Sequence, residues 1–151
     1  MDREEVRTYV NQYCQLRDIQ YAAYELHARK HNLTSKELFV LDIVWFSEDG
    51  CLQSEICERL TATKQTVSAI IKKFWKLGYL SLTEAENDRR NKIVRFTDTG
   101  REYAKNIIPP AANAEIAAMA ELEDKDIIEM IRITAMFSNY MKKKFSEIKE
   151  N

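Results

Sequence analysis

The sequence predicts a mainly helical protein with one small β-hairpin. Three observations carry that reading. Only three glycines and two prolines occur in 151 residues, so turns are few and helices can run long. Apolar residues recur at steps of three and four along most of the chain, the period of a helix that buries one face. One region breaks that rhythm: two β-branched and aromatic runs, YLSLT and KIVRFT, bracket a polar EAENDRRN.

Taken in order, residues 3 to about 30 carry a long stripe of Val6, Tyr9, Tyr13, Leu16, Ile19, Ala23 and Leu26. Thr34 and Glu37 have capping-box spacing, which starts a second helix at Ser35. Leu38, Leu41, Val44 and Trp45 form its buried side, and SEDG with Gly50 ends it. QSEICERL is a short helix with Ile56 and Leu60 inward. Thr63 caps the next helix, 64–77, whose buried stripe is Val67, Ile70, Ile71, Phe74 and Leu77, and Gly78 stops it. The hairpin follows, with a long charged tip over 84–92. Thr97 caps a helix from Asp98 that Pro109 and Pro110 bend or break. An alanine-rich helical stretch comes next, and Glu123 or Asp124 opens the last helix, striped by Ile127, Ile131, Thr134, Phe137 or Ser138, Met141, Phe145 and Ile148.

Composition narrows the function. Apolar residues make up 45% and charged residues 31%, an ordinary globular balance. The acidic N-terminus has no apolar signal core, no apolar run reaches membrane length, and three irregularly spaced cysteines suit a reducing compartment; a cytoplasmic protein is expected. The net charge of −1 hides an asymmetry. From Arg59 to Lys105 there are eleven Lys or Arg against five Asp or Glu, a local net of +6. That distribution points to one surface for a polyanion. No glycine-rich phosphate loop, HExxH or nucleophile signature supports an enzyme, and no cofactor is implied.

The short helix, tight polar turn and longer helix are the layout of a helix-turn-helix. On the second helix the side opposite the buried stripe shows Gln65, Thr66, Ala69, Lys72, Lys73 and Lys76. An amide can pair with an adenine edge, methyls can lie against a thymine methyl, and lysines can neutralise phosphates. Thr63 and the helix N-terminus can hold a phosphate as well, and Lys64 and Ser68 complete the expected contact set. The hairpin adds Arg89, Arg90 and Lys92 at its tip, cations that suit a narrow minor groove. Asp88 is expected as a brace, a carboxylate paired with an arginine to hold the tip in one shape.

The run LTATKQTVSAIIKKFWKLGYLSLTEAENDRRNKIVRFTDTGREYA resembles the winged-helix core of the multiple-antibiotic-resistance regulator (MarR) family of bacterial transcription factors. The likeness lies in the TVS-type recognition helix with its KLGY turn, in Asp88-Arg89-Arg90, and in Thr97 to Arg101, where Phe96 replaces the family's usual leucine. It implies a winged helix-turn-helix core over 32–100 within a single 1–151 domain, with dimerisation helices at 1–31 and 101–151. It implies a homodimer on a roughly palindromic DNA site, usually a repressor, with Arg90 as the minor-groove arginine and Asp88 as the residue that holds the wing. The long terminal stripes independently favour a dimer, because a chain of this size cannot easily bury both.

The signals for an effector are thinner. Some members of the family sense peroxides through a cysteine in the first helix, where Cys14 lies with Arg17 three residues on, though their cysteine sits about one turn further from the start of the second helix; a cysteine in a helix stripe is more often a small buried hydrophobe. Cys51 and Cys57 read as core. His27 and His31 share one helix face at metal-binding spacing, without an identifiable third ligand. Tyr21, Tyr24 and Trp45 are aromatics that could line a small-molecule cleft or simply fill core. A winged-helix protein-interaction module without DNA binding is the alternative from another class.

Overall fold

A computed structural model describes residues 1–148; residues 149–151, the end of the expected 101–151 segment, lie outside the described residues. The chain falls into two compact units, one from Met1 to Ala111 and one from Ala112 onward.

The first unit opens with α1 (Arg3–Lys30). Asp2 caps it by accepting the Glu4 and Glu5 N–H groups at 2.8 and 2.9 Å, while Glu5 returns to the Asp2 N–H at 2.7 Å. The expected capping box of α2 (Ser35–Trp45) is present: Thr34 accepts from the Glu37 N–H at 3.1 Å and Glu37 accepts from the Thr34 N–H at 3.0 Å. Beyond Leu38, Leu41 and Val44, this helix also buries Val40 and Ile43. It is enclosed because α1 and the elements that follow it pack around it, so its polarity pattern is that of a core helix. Trp45, expected inside, is half-buried at the helix end, edge-on to Phe96 at 5.9 Å and beneath the Arg101 guanidinium at 5.3 Å.

Next come β1 (Cys51–Leu52), α3 (Gln53–Leu60), α4 (Lys64–Lys76), β2 (Leu80–Ala85), β3 (Asp88–Phe96) and α5 (Asp98–Ala104). Ile56, Val67, Ile71, Phe74, Leu80 and Val94 bring the two short helices and the sheet onto α2 in one apolar core. Leu77, expected in that stripe, is 53% exposed. It lies one residue past the last helical turn, where Gly78 at φ +76° swings the chain away.

The hairpin differs from expectation in two ways. β1 adds a third strand, giving the antiparallel order β1-β3-β2 with Cys51 opposite Val94. The long tip is also absent: only Glu86 and Asn87 lie between the strands. Ala85 pairs with Asp88 and Glu84 with Lys92, so Arg89, Arg90 and Asn91 have no counterparts and form a bulge. Strand pairing uses backbone groups, so it continues through polar residues that an apolar pattern would exclude.

The break expected at Pro109 and Pro110 is present and falls just before them. The chain leaves helical form at Lys105 to Ile107, and both prolines sit in the first turn of α6 (Ile108–Ala120), where a missing N–H costs nothing. The second unit holds the rest of α6 and α7 (Asp124–Ser146), capped at Glu123. The expected stripe runs along α7 from Ile127 to Phe145, with Ile148 lying past the helix end, and none of its residues is buried.

Candidate nucleic-acid interface

The two helices of the helix-turn-helix meet at a polar corner. Thr61 takes a left-handed conformation at φ +48° and ends α3. Two residues later the Thr63 hydroxyl accepts the Thr66 N–H at 3.2 Å and lies 2.9 Å from the Thr66 hydroxyl. The start of α4 is therefore fixed from within, and its first turn carries Lys64 and no acidic residue. With 3.6 residues per turn, burying Val67, Ile70, Ile71 and Phe74 turns Gln65, Ala69, Lys72 and Lys76 straight outward. Among the described residues, none of the three polar side chains in that row makes a hydrogen bond or ion pair.

The other expected contact residues stand at the flanks and are engaged. The Ser68 hydroxyl accepts from Gln53 Nε2 of α3. Lys73 turns back onto α2, where its Nζ meets Glu37 Oε1 at 2.7 Å. Glu37 is largely buried, so Lys73 neutralises a carboxylate inside the fold instead of presenting a free cation. The hydroxyls of Thr63 and Thr66 are committed to the cap.

The wing is organised around Arg90. Asp88 braces it, though not as an ion pair: Oδ1 accepts the backbone N–H of Arg90 at 2.9 Å. Asp, with a short acceptor two residues upstream, closes an Asx turn, which holds backbone better than a flexible guanidinium would. The carboxylate facing the wing cations is Glu84, 3.2 Å from Lys92 Nζ and 3.8 Å from Arg89 Nε. Arg89 and Lys92 are thus partly offset. Arg90 is exposed, and its guanidinium has no partner among the described residues.

One participant was missed. Asn91 Nδ2 donates to Ser54 Oγ at 2.9 Å, and Asn91 Oδ1 accepts the Ser54 N–H at 3.4 Å. No sequence spacing pairs positions 37 residues apart; only the bulge brings Asn91 over α3. Lys64, Gln53, Ser54, Cys57, Arg90 and Asn91 help line a cleft of about 390 Å³ between the helices and the wing.

A second cleft of about 670 Å³ lies between α1 and α2. Tyr21 and Tyr24 line it, with Phe39, Arg17, Lys36 and Arg59. Trp45 does not. The three cysteines are free; Cys14 and Cys57 are half-buried, and burial pushes the Cys51 thiol up. His27 Nε2 lies 2.8 Å from the Ile107 carbonyl, which takes one of its ring nitrogens. His31 stands edge-on to it at 4.9 Å, its pKa lowered by burial, by the charge of His27 and by Lys30. Among the described residues no three His, Cys, Asp or Glu groups gather as a metal site, and no helix is long and apolar enough to cross a membrane.

Comparisons with known proteins agree with this geometry. The chain is similar to the HTH-type transcriptional regulator MgrA of Staphylococcus aureus, 25% identical over 107 residues that cover 70% of this chain and 69% of MgrA. It is 26% identical over 80 residues to the transcriptional repressor MprA of Escherichia coli, covering 52% of this chain and 46% of MprA. Its fold follows that of NMB1585, a MarR family regulator from Neisseria meningitidis, with a TM-score of 0.72 and 25% identity over 99% of this chain and all of that one. It also follows the S. aureus MepR-DNA complex, with a TM-score of 0.68 and 19% identity over 84% of this chain and 97% of MepR. Residues 31–91, the stretch that holds the helix-turn-helix and the wing as far as Asn91, match the MarR family, and the chain shares the winged-helix fold of the MarR family regulators.

Proposed function

We propose that the chain binds double-stranded DNA as a homodimer at a palindromic operator and represses transcription from it in the cytoplasm. The observation that carries this is the outward row of Gln65, Ala69, Lys72 and Lys76 beside the unpaired Arg90: polar and cationic groups left unsatisfied by the fold, on a helix and a wing of groove-reading shape. MepR, which shares the fold, is solved with DNA. Gln65 and Ala69 read bases in the major groove; Lys72 and Lys76 bind phosphates; Arg90 enters the minor groove, with Arg89 and Lys92 on the adjoining backbone. Lys64, Thr63, Thr66 and Ser68 support the start of the helix, and Lys73 contributes least because Glu37 already holds it.

The terminal helices supply the second copy. On α1, Leu16, Ile19 and Leu26 are 61, 67 and 60% exposed, and on α7 Phe145 is 66% exposed. Apolar faces of that extent favour association, and a two-fold dimer sets its recognition helices about 34 Å apart, one DNA turn. The cleft between α1 and α2 favours a small-molecule effector, since it combines tyrosines with Arg17, Lys36 and Arg59. Selection of bound sequences from random DNA tests the reading. A symmetric site with half-sites one turn apart is expected; recovery of no enriched sequence would refute it.

A further inference from the structure

We infer that Asn91 and Ser54 are positioning residues for DNA recognition: their paired hydrogen bonds fix the wing arginine Arg90 to the first turn of α3, and through that turn to the recognition helix. This rests on the DNA-binding reading above.

The argument begins at a helix end. The first N–H groups of any helix lack intrahelical partners. Most helices satisfy one with a polar N-cap residue. Here the N-cap of α3 is Leu52, which has no side-chain acceptor. Asn91 takes that role from another element, accepting the Ser54 N–H with Oδ1 and donating to the Ser54 hydroxyl with Nδ2. A side-chain amide carries a donor group and an acceptor group at fixed separation, so two bonds to one residue fix its orientation as well as its distance.

Arg90 lies between two such fixed points. On one side the Asp88 carboxylate holds its N–H at 2.9 Å. On the other side is Asn91. The three residues of the bulge have no strand partners, so the ladder does not restrain Arg90 and these side-chain bonds do. The neighbouring residue completes the link: Gln53 donates to Ser68 of α4. One turn of α3 thus ties to the wing through Ser54 and to the recognition helix through Gln53. The two elements that enter different grooves are registered against each other by four side chains.

Such residues act on DNA through Arg90, and that distinguishes them from general supports. The test uses the operator recovered by selection, in two duplexes flanked by an A-tract or by G·C pairs. Asn91→Ala and Ser54→Ala are each compared with Arg90→Ala and with the corresponding double variants. An A-tract narrows the minor groove and favours an inserted arginine, so Asn91→Ala is expected to weaken binding to the A-tract duplex about tenfold and to the G·C duplex less than about threefold. In the Arg90→Ala background it should add less than about twofold. Ser54→Thr, which keeps the hydroxyl, should behave as the parent. Equal losses on both duplexes, additivity with Arg90→Ala, or a large fall in melting temperature for both single variants would overturn the proposal and leave the clasp a stability element. If Arg90→Ala itself binds both duplexes as the parent does, the wing reading fails first and this one with it.

Discussion

Replacing Gly100 by alanine should detach the hairpin root from α5. The glycine lies in the first helical turn, and a Cβ there would stand 1.9 Å from the Tyr79 carbonyl oxygen and 2.6 Å from its carbon. Backbone on both sides leaves no flexible side chain to yield. To reach ordinary contact at 3.4 Å the turn must retreat by about 1.5 Å. Two hydrogen bonds span that seam: Thr97 N–H to the Tyr79 carbonyl at 3.0 Å and the Thr97 hydroxyl to the Gly78 carbonyl at 2.6 Å. Lengthened by that much, neither survives. At about 0.5–1.5 kcal/mol each they account for roughly 1–3 kcal/mol, and loosened packing around buried Ala104 and Leu80 brings the expected loss to about 3 kcal/mol. Gly78 provides the control. It has a left-handed backbone at φ +76° and open space around it, so alanine there costs only the conformational strain, about 1 kcal/mol. Urea unfolding at one fixed protein concentration would measure both, since a dimer's stability depends on concentration. A Gly100→Ala loss no greater than that of Gly78→Ala would refute the steric argument.

Three other outcomes are expected. Lys72→Ala and Lys76→Ala should each lower the slope of log affinity against log salt by about 1, whereas Lys73→Ala should change it by less than half as much, because Glu37 already offsets that charge; a titration series giving three equal changes would contradict the assignment. The folded chain binds a proton at His31 less readily than the unfolded chain does, so stability should fall as pH drops below about 6.5 and level off once the folded-state histidine is protonated. Thermal melts of the parent and His31→Gln should then diverge only on the acidic side, and parallel curves would remove His31 as the cause. Ile19→Glu places a charge in the most exposed part of the α1 stripe and should shift the sedimenting species from dimer to monomer at micromolar concentration; an unchanged dimer would move the interface elsewhere.

Local chemistry made much of this molecule legible in advance. Thr34 with Glu37, Thr63, Gly78 and Thr97 each announce a helix end within a few residues, and each end falls where they put it. The outward row of α4 follows from a 3.6-residue period alone. What could not be read depends on partners far apart in the chain. Lys73 looks like its neighbours Lys72 and Lys76 until Glu37, 36 residues away, is placed beside it. Asp88 was expected to pair with an arginine side chain, but the group it bonds is the backbone N–H of Arg90, which has no letter in the sequence. Asn91 showed no signal, because its task depends on a bulge, and the bulge depends on register. Leu77 and Trp45 were misjudged for a related reason: each sits at the last residue of a stripe, where the helix ends and periodicity stops describing burial.

Strand β1 is two residues long, and its influence is out of proportion to its size. Its pairing of Cys51 with Val94 closes a chain loop that contains α3, α4 and most of the hairpin. The entropic penalty of such a closure grows only slowly with loop length, so the fold encloses a large segment with a very small clasp. α3 leaves β1 without a linker, since Leu52 ends the strand and Gln53 begins the helix. The wing is therefore linked to the root of α3 along both continuous covalent chain and paired strands.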